Sequence, residues 1–515
     1  MTRLFAAFLI SSTLAFSQGV RGWTSSGGDP QRTHWNRTET ILTKDSIKRI
    51  KLEWTVKLDS PPKELTNLTT AVVRSSVSTH LGIIDMVAFA GASDRVFVLD
   101  GDTGKTLWQR TLDTTATPQR RDSWLCPNGL TATPIIANLP GAGQALLVLA
   151  SDGRLHAFNL LSGDVLMPPA QLAPAFSKMQ SLNISRNVIY TATSQGCNGV
   201  KSGVWGLDLS TPEKKSFNFI AANQGAGIWG RAGAAVLSDG RLVVETGDGP
   251  YDTATGQYSD TVLFLTPDLK LADYYTPSNR DWITKKDLDM GNMGAVVFPW
   301  QGRELAAASG KEGTIYLLDA KSPGGADHRT PAYRSPMFTN EEINFSGLGF
   351  WGAMSTWENQ GTRWLYAPAW GPPTSYTKFP LEHGKTPNGS VMAFKVEAAA
   401  DGSPKLTPAW NSLDMMLPAP VIIANGMVFA LADGDYGTQF TPQGALMTTV
   451  QRQVNTKKAV LYALDAATGD VIWSSGDTIK DFSHFSGLTL AGGRLYVGTH
   501  DGTVYAFGLG SGMIP

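Results

Sequence analysis

The chain has 515 residues, a formal net charge of −1 and only 17% charged residues, so neither a nucleic acid nor an anionic membrane is expected as a partner. Its 54 glycines, 29 prolines and 15 tryptophans describe many turns and aromatic strands with little helical surface, the profile of an all-β protein. A length-based division into about three or four domains does not apply where one core grows by repetition.

At the N-terminus, Arg3 precedes the apolar run Leu4 to Phe16, with small residues Ala15 and Ser17 placed for cleavage before Gln18. Residues 1–17 therefore read as a signal peptide, with a periplasmic or secreted destination. No later segment has the roughly 18 uninterrupted apolar residues of a membrane span. Residues 18–51 are polar and irregular, carry Trp23 and Trp35, and are expected to wrap over the core as an arm. Residues 52–515 are expected to form one repeated domain.

Leu52-Glu-Trp-Thr-Val-Lys-Leu58 alternates as a strand, and its Trp54 resembles the closing aromatic of a repeat whose first half is missing. From Arg95 a full unit appears: a strand, Asp100, a Thr-Gly turn at Gly104 and a second strand closing on Trp108. Variants start at Gly153, Gly203, Thr261, Gly313, Gly389, Ala459 and Gly502. In the unit from Ala459 to Trp473, Asp465, Gly469 and Trp473 repeat the spacing of Asp100, Gly104 and Trp108. A strand pair precedes most units, so each repeat holds about four strands, the size of a propeller blade. The eighth unit ends before any closing Trp, and Leu52–Leu58 offers the missing strand. The pattern predicts an all-β, eight-bladed β-propeller of four-stranded antiparallel blades, closed by pairing the N- and C-terminal strands. Closure of this kind removes both exposed sheet edges.

Within a unit, the Asp and Thr-Gly build the turn and the Trp covers the next blade, so these residues are scaffold. The segment from Trp351 to Thr386, with Trp364, Trp370 and Tyr376, is expected to form a loop face over the channel. No His-Glu-x-x-His and no paired-Cys metal motif occurs.

The Ala-x-Asp-x-x-Thr-Gly-x-x-x-Trp grammar resembles the tryptophan-docked propeller of the pyrroloquinoline quinone (PQQ) dehydrogenases, over nearly the whole mature chain. Non-enzymatic relatives share this scaffold, so chemistry must be sought in residues that interrupt the repeat. Gly227-Ile-Trp-Gly and Val243-Val-Glu-Thr-Gly-Asp248 are similar to family segments that supply a Trp floor for PQQ and an oxygen ligand for Ca²⁺. The resemblance assigns these roles to Trp229 and Asp248. Lys286-Asp-Leu-Asp289 resembles the segment of the catalytic base, with Asp289 the better match and Asp287 the alternative; Asp289 would also face the metal. Lys311, in Ala308-Ser-Gly-Lys-Glu-Gly-Thr, matches the cation that bonds the quinone carbonyls.

Two departures stand out. The family's adjacent cysteine pair is reduced to Cys126, and Cys197 stands where a Glu ligand of Ca²⁺ is expected. Both cysteines map towards the cofactor site, and a Cys126–Cys197 disulfide is expected. The resemblance implies an exported oxidoreductase that oxidises an alcohol or sugar hydroxyl with PQQ and calcium. It would use a separate electron acceptor, since no Cys-x-x-Cys-His haem site is present. The alternative is a non-catalytic propeller that binds protein or glycan.

Overall fold

The computed structural model describes residues 22–510 except 140 and 212; the expected signal peptide lies outside them. Eight four-stranded antiparallel blades form a ring. Each repeat strand recognised in the sequence is the third strand of its blade, counted from the channel: Arg95–Asp100, Arg154–Asn159, Gly203–Asp208, Val262–Leu265, Thr314–Asp319, Gly389–Ala398, Val460–Asp465 and Thr503–Gly508. These strands read as apolar runs because they are covered on both faces by neighbouring blades. Lys51–Lys57 pairs antiparallel with Thr503–Gly508, and Trp54 stands opposite Ala506. The ring is thereby closed between its two chain ends.

The closing tryptophans dock from one blade onto the next. Trp108 of the first blade donates its indole N–H to Leu160 O at 2.9 Å and lies on the turn of the second blade. Gly163 in that turn has φ +72°, and a Cβ there would stand 2.7 Å from the Trp108 ring, so glycine is required twice over. Trp54 and Trp410 repeat the arrangement on the first and seventh blades, donating to Gly101 O and Ala466 O. Among the described residues the α-helices are two short ones, Arg280–Lys285 and Thr449–Gln453, and no helix is long and apolar enough to cross a membrane.

The arm does not lie across the outside of the ring. It threads the channel and touches the inner strands of all eight blades. In six of them the contact falls on the second residue of the inner strand. Trp23 pairs with Val73, and the backbone N–H groups of Ile136, Val236, Val297, Thr356 and Ile423 donate to Thr24, Pro30, Gln31, Thr33 and His34. Asn183 reaches Pro30 O in the third blade, and Asn36 reaches Leu490 O in the eighth. The arm is thus a ring of contacts at one depth. Its buried Arg32 donates to Ser26 O and Leu182 O. A polar segment is stable in the channel because inner-edge backbone groups supply its hydrogen-bond partners.

In an antiparallel blade, the turn between second and third strands and the link to the following blade emerge on the same side. All the sequence-selected site residues belong to such turns or links and therefore share one face. The inner-strand contacts with the arm lie close beneath that face.

Candidate active site

Three segments meet where the fourth and fifth blades adjoin. The link from the third to the fourth blade carries Trp229, the fourth blade's 246–261 turn carries Asp248, and the link from fourth to fifth carries Asp287 and Asp289. Backbone contacts hold them together: Trp229 N donates to Gly291 O at 2.6 Å, and Gly247 N donates to Gly227 O at 2.8 Å. Such close approach needs glycine. A Cβ at Gly247 would stand 2.3 Å from the Trp229 ring, and one at Gly291 would stand 2.1 Å from Gly227 O.

Lys311, from the short turn of the fifth blade, enters this junction. Its ammonium lies 2.5 Å from Asp289 Oδ2 and 3.1 Å from Asp287 Oδ1, while its backbone N–H donates to Asp289 O. It also sits 5.8 Å from the Trp229 ring centroid and 5.6 Å from that of Trp351, within reach of both π faces. Asp289 is buried and accepts the Asp248 backbone N–H at 2.8 Å through its other oxygen. The Asp287 side chain is 47% exposed, so it is the carboxylate of the pair that solvent and a small molecule can reach.

The charge balance is uneven. Asp248, Asp287 and Asp289 offer oxygens that all lie within 4.8 Å of one another, with one lysine among them. Burial, and then the Asp289 charge, push Asp248 up to about 6 and Asp287 up to about 7. Asp260, behind them and bonded to Thr284, is pushed up to about 8 by burial and by Asp289. Burial also acts upwards on Asp289, but Lys311 and its hydrogen bonds outweigh it and hold that carboxyl below the usual range. The negative charge therefore concentrates on Asp289, and its neighbours resist ionisation until more positive charge arrives. Oxygen donors with surplus negative charge suit a hard cation.

Beside this cluster, Trp351 and Trp370 stack with centroids 4.3 Å apart, and Arg231 lies 4.7 Å from the Phe485 ring. Together with Trp23 and His34 of the arm they line a cavity of about 60 Å³ on the channel side. The Arg231 Nη2 and Trp229 Nε1 donors are buried without a protein partner. Lys178 is held well below its ordinary value by burial and by the charges of Arg231 and Arg452. Arg452 and His484 converge on buried Asp435, at 3.2 and 2.6 Å.

Cys126 and Cys197 form a disulfide, with Cα atoms 5.5 Å apart. It joins the link before the second blade to a turn of the third. The structure thus brings together Trp229, Asp248, Asp287, Asp289 and Lys311, and it places the cysteines on loops of other blades of the same face. Trp364 and Trp370 belong to the strand Thr362–Trp370 of the sixth blade, and Trp370 alone of these reaches the cavity; Tyr376 is exposed. Sequence reasoning gave no role to Asp260, or to the buried Glu245 inside the quoted Val243–Asp248 stretch, whose carboxylate accepts Ser309 N.

A family model described as outer membrane protein assembly factor BamB matches residues 36–215 and 419–514, more than half of the chain. The chain belongs to the PQQ-binding-like β-propeller family. A search of curated proteins returns no match. Solved structures agree with the family's fold. Quinohemoprotein alcohol dehydrogenase from Comamonas testosteroni is 14% identical with TM-score 0.59, over 96% of this chain and 82% of that one. Quinohemoprotein alcohol dehydrogenase ADHIIG from Pseudomonas putida HK5 is 12% identical with TM-score 0.60, over 95% and 80%. A europium-containing methanol dehydrogenase is also 12% identical with TM-score 0.60, over 96% and 99%. At these identities the similarity is one of fold.

Proposed function

We propose that this PQQ-type propeller is an exported oxidoreductase that oxidises an alcohol or sugar hydroxyl, with calcium held by Asp248 and Asp289 and PQQ beside it. The observation that carries the reading is the convergence of three carboxylates and Lys311 next to the Trp229 ring, all from segments that interrupt the repeat. The donor types, though not the volume of the channel-side cavity, suit both groups: surplus carboxylate for the cation, and unpartnered buried N–H groups of Trp229 and Arg231 for an anionic quinone. Bound PQQ would supply the two-electron acceptor for the hydride that leaves the carbinol carbon.

The protein's own residues would do the rest. Half-exposed Asp287 takes the hydroxyl proton at a carboxylate oxygen, since Asp289 is buried and committed to Lys311 and the Asp248 N–H. Lys311 holds the positive charge that opposes negative charge developing on a reduced acceptor. Trp229 and Trp351 confine the lysine and limit water around it. Turnover would require a separate electron acceptor.

A non-catalytic scaffold is the second reading, and one observation favours it. The cavity on the channel side, about 60 Å³, holds a few waters but no tricyclic cofactor. The test is reconstitution with PQQ and Ca²⁺, then dye reduction with a panel of alcohols and sugars. Turnover is expected, lowered by about 10²–10⁴-fold in Asp287→Asn. A reconstituted protein with neither a quinone absorbance nor turnover supports the scaffold instead.

A further inference from the structure

The same face carries a groove of about 540 Å³ between the loop after the fifth blade and the long insert of the seventh. Its walls hold Ile343, Phe345, Tyr436, Phe440, Pro442 and Met447. Phe345 and Phe440 pack against each other in its lining, with ring centroids 5.3 Å apart. Ile343 and Phe345 are 38% and 37% exposed, an apolar surface that a solvated loop gains nothing by presenting.

The groove is tied to the site through Lys311. Asn340 donates from its amide to Lys311 O at 2.6 Å, and a Cβ at Gly349 would stand 2.5 Å from Lys311 Cα. The wall residues lie between these two anchors. Phe345 is four residues from Gly349, so its Cα is at most about 14 Å from a backbone in contact with Lys311. At the other wall, Gly347 abuts the Gly437 backbone.

Its polar groups are largely engaged within the loops. Asn344 Oδ1 accepts Ser346 N, Asn344 N donates to Asn340 Oδ1, and Thr441 Oγ1 accepts Ala445 N. The one formal charge in the lining is Glu342. A sugar would have to surrender hydroxyl hydration here for few free partners, whereas an alkyl chain would lose nothing and cover two aromatic rings.

We infer that this groove takes the apolar tail of the substrate, so that the preferred substrates are alcohols with long alkyl chains. The inference rests on the oxidoreductase reading for the reaction, but the groove can be probed without it. Binding of a series from 1-butanol to 1-decanol is measured calorimetrically on the protein without cofactor, and on Phe345→Ser/Phe440→Ser, with glucose and maltose as controls. Affinity is expected to rise about fourfold per added methylene, from the transfer free energy of a buried CH₂, and the rise should flatten in the double variant. Affinity independent of chain length overturns the inference, as does an equally steep rise in the double variant, or sugar binding that the double variant abolishes. Steep chain-length dependence in a protein that never turns over when reconstituted leaves the groove assignment standing and removes the oxidoreductase reading.

Discussion

Lys311 brings four contacts to one point: a buried carboxylate, a half-exposed one, and two indole faces. An uncompensated ammonium in that position would be costly, and Asp289 offsets the cost. Trp229, Asp248, Asp287 and Asp289 were selected by resemblance to family segments that interrupt the repeat, and the structure gathers them around Lys311. Asp260 and Glu245 were not selected, because what makes them unusual is burial across a blade junction, and linear spacing does not encode it. The Asp435, Arg452 and His484 cluster was hidden for the same reason, being drawn from three separate segments.

His34 in the arm gives a residue-scale prediction. It is buried, its Nδ1 bonds Arg32 O at 2.9 Å, and burial lowers its pKa from 6.5 to about 4, with the nearby Arg32 charge acting in the same direction. The unfolded chain therefore binds the extra proton between those values. Above pH 6.5 this residue costs nothing; as pH falls towards 4, stability should drop by up to about 3 kcal/mol. His484, also lowered to about 4, adds a similar slope. Urea titrations across this range should show the decline, and His34→Gln should remove its share; an unchanged slope in the variant contradicts the assignment.

At the scale of elements, the docked tryptophans explain how thin blades hold their order around the ring. Trp108 packs with Phe158 and Leu160 of the next blade and donates to its turn. Trp108→Ala removes a buried indole and should cost about 3–5 kcal/mol in chemical unfolding, whereas a loss below about 1 kcal/mol would show that docking is incidental. These strands were readable because Asp, Gly and Trp recur at fixed offsets. Thr362–Trp370 was misjudged as a loop face: buried nearly throughout, it lacks the polar alternation that announces a strand. The arm was expected only to wrap over the core, since a polar, turn-rich segment carries no sign that backbone groups inside the channel will satisfy it.

For the whole molecule, closure between Lys51–Lys57 and Thr503–Gly508 was foreseen from an incomplete eighth repeat, and it makes a central site geometrically available. The arm then closes the channel beneath one face, and the Cys126–Cys197 disulfide ties the loops of the early blades on that face. The same face carries the carboxylate cluster and the apolar groove. The carboxylate cluster is proposed to hold a cation beside PQQ. Equilibrium dialysis of chelator-treated protein against Ca²⁺ with PQQ present tests it most directly. One Ca²⁺ and one PQQ per chain are expected to bind together, with Ca²⁺ lost and PQQ weakened in Asp248→Asn/Asp289→Asn; binding of neither, or unchanged binding in that variant, would contradict the account.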